Sequence, residues 1–185
     1  MSIEPRTLKG FRDFLPIDAR KRQYVIETLQ RVFQSYGFEP LETPSLEYAD
    51  VLKGKYGEEE KLIYELTTKG GDEAALRYDQ TVPLARVIAQ FPEIPKPFKR
   101  FQIQTVFRGE NTQKGRYREF VQCDADVIGS TSPLADAEIL ALVLDIYKEL
   151  GLDVVIKIND RANFENLDKK YVAAIDKLEK ILEFS

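Results

Sequence analysis

The stretch from residue 101 to 128 reads FQIQTVF, then a polar glycine-containing segment, then YREFVQCDADVI. No other feature constrains the fold as much. Strand side chains alternate between faces. The even positions of the second segment are Arg116, Arg118, Phe120, Gln122, Asp124 and Asp126; the odd ones are Tyr117, Glu119, Val121, Cys123, Ala125 and Val127. From Val121 onward the odd set is apolar. It predicts a face packed on helices, with Cys123 as a buried small hydrophobe. The even set is polar with one ring, and Gln102, Gln104, Val106 and Arg108 continue it in the preceding strand. A solvated outer face of an antiparallel sheet would also alternate. The order of residues points further, because Arg108 closes one strand and Arg116 and Arg118 open the next. Forked guanidiniums suit phosphate oxygens. The deeper carboxylates suit an ammonium or another donor, and Phe120 offers a flat surface for a base.

The hairpin sits among alternating helices and short strands. Val25, Leu29, Val32, Phe33 and Tyr36 recur at helical spacing from Asp18 to Tyr36, and Gly37 ends the run. A short strand over 38–43 follows. LIYELT (62–67) and AALRYD (74–79) flank a Gly-Gly turn and predict a second hairpin. Thr81 before Val82 and Pro83 is a helix start and a credible N-cap. Strands at 101–108 and 116–128 precede a helix from Ser132–Pro133 to Leu150, a strand VVIKIN (154–159) and a charged helix over 168–183. This order predicts an α+β fold with a largely antiparallel sheet flanked by helices, the crossover 133–150 leaving room for one parallel pair.

Composition removes several chemistries. The 185 residues include no histidine and one cysteine, so Ser-His-Asp and Cys-His catalysis and His or thiolate zinc sites are excluded. A lone cysteine suits a reducing cytosol. The formal charge of −4 gives no general attraction to nucleic acid. No apolar run approaches the ~18 residues of a membrane span, and MSIEPRTLKGFRDF has no apolar signal core. These features predict a cytoplasmic protein of one domain, or of one domain with an appendage.

The motifs themselves carry a family resemblance. FRGE…GRYREFVQCDADVIG resembles motif 2 of the class II aminoacyl-tRNA synthetases, and specifically that of the histidyl-tRNA synthetases. LRYDQTVPLARV (76–87), LKGFRDFLP (8–16), GKYGEEEKLIYEL (54–66) and IKINDR (156–161) are similar to further segments of that family, and TPSLE (43–47) fits motif 1. The resemblance implies a partial class II catalytic domain over 1–185, with motif 1 at about 18–47 and motif 2 at about 101–129. It implies a chain that stops before motif 3 and lacks an anticodon-binding domain.

The implied activity is formation of histidyl-adenylate from histidine and ATP, then transfer to tRNA(His), by a homodimer that uses no membrane. Arg108 would grip the α-phosphate, Glu110 would accept from the adenine amino group, Phe120 would stack on the base and Arg116 would hold the outer phosphates. Asp79, Thr81 and Gln122 would receive the histidine ammonium, and Asp126 the imidazole. Mg²⁺ would arrive with ATP and not through a protein cage. Gly109 replaces bulkier residues common in relatives, and Asp79 and Asp126 replace glutamates. EEEK (58–61) reads as a solvated turn. The alternatives are a non-catalytic paralogue, such as the regulatory subunit of ATP phosphoribosyltransferase, and an inactive folded fragment.

Overall fold

The computed structural model describes residues 3–159, and the chain divides into a unit ending at Leu152 and a second beginning at Asp153. The first unit holds four helices and six strands: α1 (Pro16–Ser35), β1 (Glu39–Pro40), β2 (Leu46–Tyr48), α2 (Ala49–Leu52), β3 (Glu65–Thr67), β4 (Glu73–Leu76), α3 (Thr81–Gln90), β5 (Phe98–Phe107), β6 (Glu119–Ile128) and α4 (Pro133–Glu149). A 3₁₀ segment spans Gly57–Leu62. One sheet has the order β1-β5-β6 and the other β2-β4-β3. The α+β class with antiparallel sheets flanked by helices is thus observed.

Local chemistry sets the boundaries. Pro16 opens α1, where a missing N–H costs nothing. The helix ends in a Schellman motif at Gly37 (φ +75°): its N–H donates to Gln34 and that of Phe38 to Phe33. The motif turns the chain so that Phe38 meets Phe33 with ring centroids 6.4 Å apart. Ser132 caps α4 by accepting from the Leu134 N–H. Val32, Phe33, Phe38, Phe101, Leu142 and Ile146 form the main core between α1, α4 and the far end of the hairpin. Phe33 stacks on Phe101 at 5.0 Å, and each such fully buried side chain contributes about 1.5–3 kcal/mol.

The hairpin holds its register over ten residue pairs, from Phe98↔Ile128 to Phe107↔Glu119. Partners in an antiparallel ladder share a face, so Arg100, Gln102, Gln104 and Val106 lie on the same side as Asp126, Asp124, Gln122 and Phe120.

Several expectations need correction. The parallel pair is β1 with β5 (Glu39↔Arg100), not one made through α4. β6 begins at Glu119, so Arg116 and Arg118 precede the strand; Arg116 is in the turn, bridged to Gln113, while the Arg118 carbonyl still accepts from the Arg108 N–H at 2.9 Å. The odd face is core only at its far end. Beyond the reach of α4 it is open, and Cys123 is exposed along an apolar groove of about 320 Å³ lined by Val25, Ile26, Leu29, Ile103 and Val121. Thr81 is the first residue of α3, and the helix start is capped instead by Asp79, whose Oδ1 accepts from the Val82 N–H at 3.2 Å. EEEK is a 3₁₀ segment, and Glu59 within it accepts from the Tyr78 hydroxyl at 2.9 Å. The strand expected over 154–159 is absent from the described residues, where residues 153–159 make no ladder. The helix expected over 168–183 lies outside them.

Candidate functional site

The open end of the hairpin forms a cleft of about 560 Å³ whose lining includes Arg108, Glu110, Arg116 and Phe120. Arg108 is held on three sides. Its Nε donates to the Tyr78 carbonyl at 3.2 Å, and its guanidinium lies 4.5 Å from the Tyr78 ring centroid and 5.2 Å from that of Phe120. Cation–π contacts of this kind steady a cation and leave its outer N–H groups free for an anion. Burial and the bond to Glu59 push the Tyr78 phenol up to about 12, so it remains a neutral donor. Arg116 is more exposed and makes a loose ion pair with Glu110 at 3.7 Å, a contact that a ligand can displace at small cost.

The turn is anchored so that these groups converge. The Gly109 N–H donates to the Leu62 carbonyl at 2.7 Å, and an added Cβ would meet that oxygen at 3.1 Å. Glycine thus gives the close approach to the 3₁₀ segment without crowding, where a larger residue would push the Leu62 carbonyl back by a few tenths of an ångström. Arg118 donates from Nε to the Glu110 carbonyl at 3.0 Å and from Nη1 to the Lys9 carbonyl at 3.5 Å.

Farther along the same face, the β5 half is covered and the β6 half is open. Gln102, Arg100 and Arg77 are buried, whereas Phe120, Gln122, Asp124 and Asp126 are only partly so. Gln80, fully buried, spans both strands by donating to the Gln104 and Gln122 carbonyls at 3.1 and 3.0 Å. The side-chain oxygens of Gln80 and Gln122 are buried with no hydrogen-bond partner among the described residues. Buried acceptors without donors are costly and rare, so two on one face mark a place for a ligand's N–H groups. Asp126 forms a 2.5 Å ion pair with Arg100, a close approach without good hydrogen-bond alignment. Burial raises the carboxyl pKa of Asp124; Arg100 and a hydrogen bond from Gln122 oppose that shift. Asp79 accepts from the Tyr56 hydroxyl at 2.8 Å as well as capping α3.

All the expected hairpin residues therefore share one face or its mouth, and Arg108 and Gln122 are on the same side of the ladder. Asp79 and Thr81 stand at the start of α3. Sequence reasoning missed Tyr78, Glu59, Tyr56, Gln80 and Arg100. Arg12 and Arg22, which also line the cleft, were missed too. Arg100 was legible in principle, since extending the strand back to Phe98 continues the even alternation to it.

Comparison with known proteins shows the family. The family model described as histidyl-tRNA synthetase matches residues 10–184. The chain belongs to that family. A histidine–tRNA ligase of Gloeobacter violaceus is 46% identical over 211 residues, covering 95% of this chain and 45% of its own length. One from Aeropyrum pernix is 50% identical over 191 residues, covering 96% of this chain and 44% of its own length. The chain thus spans about half or less of the length of the curated relatives it matches. Among solved structures, the histidyl-tRNA synthetase of a Nostoc species superposes with a TM-score of 0.69 at 42% identity, covering 77% of this chain and 34% of that one. A Bacillus halodurans protein described as an ATP phosphoribosyltransferase regulatory subunit/histidyl-tRNA synthetase gives 0.72 at 25% identity, covering 82% of this chain and 40% of that one. Among the described residues no helix is long and apolar enough to cross a membrane.

Proposed function

We propose that this chain supplies the ATP- and histidine-binding hairpin of a histidine–tRNA ligase, with motif 1 at about 18–47 and motif 2 at about 101–129. The observation that carries the reading is the sharing of one face by a steadied guanidinium, a ring, unpartnered amide oxygens and carboxylates. Histidine's carboxylate attacks the α-phosphorus of ATP, the bond to the β-phosphate oxygen breaks, and pyrophosphate leaves. The reaction needs no protein nucleophile, which suits a chain without histidine. Arg108 stabilises charge developing on the α-phosphoryl oxygens, Arg116 holds the outer phosphates, Phe120 stacks on adenine and Glu110 accepts from its amino group. Asp79, Thr81 and Gln122 take the ammonium; Asp126 takes the ring. Mg²⁺ enters bound to ATP. A terminal ribose hydroxyl of tRNA(His) then attacks the histidyl carbonyl and releases AMP. The working form is a cytoplasmic homodimer.

Histidine-dependent exchange of pyrophosphate into ATP by the complete gene product tests this, and exchange stimulated by histidine alone among the amino acids is expected. The likeness to the Bacillus halodurans protein supports a second reading, a non-catalytic regulatory subunit. Histidine binding without any exchange would favour it. Calorimetry on this chain alone is expected to show weak histidine binding or none. Tight stoichiometric binding would remove the third reading, an inactive fragment.

A further inference from the structure

Arg100 stands directly opposite Asp126 in the ladder and is 1% exposed. Its Nη2 lies 2.5 Å from Asp126 Oδ2, its Nη1 donates to Gln102 Oε1 at 3.4 Å, and its Nε has no partner among the described residues. The carboxylate, by contrast, is 43% exposed on its side chain. The cation is thus sealed beneath an anion that faces outward. Such a pair is a poor stabiliser, since apolar residues of similar volume commonly do as well or better. Its use is geometric. A lone aspartate on a strand can swing between rotamers, whereas one pinned from below presents its outer edge in a fixed direction. The acidic side chains fit the same use: Asp124 and Asp126 lie on the face that Arg100 shares, and only Asp126 is in contact with it.

We propose that Arg100 is a positioning residue for amino-acid selection: by holding Oδ2 of Asp126, it fixes the carboxylate edge that accepts a ring N–H. The inference rests on the ligase reading and adds to it the residue that makes Asp126 selective. An acceptor fixed in place discriminates between ligands with and without the matching donor far better than an apolar pocket does.

The test is amino-acid-dependent pyrophosphate exchange by the complete gene product, with histidine and with 2-thienylalanine, whose ring has similar size and no N–H. Wild type is expected to prefer histidine strongly. Arg100→Met should reduce that preference by about tenfold or more, raise the KM for histidine and leave the KM for ATP unchanged. Arg100→Lys restores the charge without the fork and should fall between the two. A purely structural role would depress both amino acids alike, and a wild-type preference ratio in both variants overturns the assignment. If Arg100→Met does not fold, Arg100→Lys decides alone: an intermediate ratio supports the assignment and a wild-type ratio overturns it. A wild-type protein with no histidine-dependent exchange, or no preference for histidine, overturns the ligase reading and this inference with it.

Discussion

Two buried arginines lie in the same polar layer, and they are held differently. Arg77, 2% exposed, donates from Nε to the Thr105 carbonyl at 2.6 Å and from Nη1 to the Thr43 carbonyl at 2.6 Å and Gln104 Oε1 at 2.8 Å. It ties the β2-β4-β3 sheet to β5. Arg100 has one carboxylate, one long amide contact and an unpartnered Nε. A network whose groups are matched inside the protein rigidifies the fold, whereas a partly matched one leaves costly unpaired groups. The layer thus changes from scaffold to site over a few residues.

The strongest way to break that contrast is Arg77→Met. The Thr105 and Thr43 carbonyls would lose this donor, at about 1–3 kcal/mol each, while Gln104 Oε1 keeps the Thr43 N–H and Gln102 Nε2. We expect a loss of about 3 kcal/mol or more in urea unfolding. A change below about 1 kcal/mol would mean that this end of the layer is no scaffold.

Arg108→Ala probes the open end, where catalysis should fall by about 10²–10³ in exchange rate. The unfolding midpoint should barely move, because the guanidinium makes one backbone hydrogen bond and two ring contacts. Equal damage to stability and rate would erase the distinction between the two ends.

Tyr56→Phe is milder. Tyr56 donates to Asp79 Oδ1, and burial with that hydrogen bond raises its phenol pKa far above the ordinary value, so it remains a donor across the working range. Asp79 keeps its bond from Val82. The loss should be about 1 kcal/mol, read as a several-fold rise in the KM for histidine with the KM for ATP unchanged.

Much of this was visible in the chain itself, for identifiable reasons. The existence of the hairpin, the helix ends at Gly37 and Gly151 and the shared even face follow from alternation and positive-φ glycines, which are local rules. The cover over the site was not visible. Gln80, Tyr56 and Glu59 reach it from neighbouring segments through contacts separated by 19 to 42 residues, and no local period encodes them. Thr81 has a capping side chain but already lies inside the helix, as the first residue of α3. Asp79 has it too, with an oxygen that reaches the Val82 N–H.

The smallest effect lies at Cys123, on the opposite face from Arg100. Alternation places it on the apolar face and predicts burial, but the helices flanking that face leave its groove open, so the thiol is exposed among Ile103, Val121 and Leu29. Contact with these apolar neighbours removes hydration and pushes its pKa up to about 11; Asp124 adds to the shift and Arg100 opposes it. Alkylation proceeds through the thiolate, so the reagent should reach the sulfur yet react slowly near neutrality. Its rate should rise roughly tenfold per pH unit until about pH 11. A plateau near the ordinary thiol value of about 8.5 would show a hydrated sulfur. Arg100→Met should slow the reaction further at a given pH, since it removes a charge that favours the thiolate. An unchanged rate would mean that the guanidinium's influence stops at its own side of the sheet.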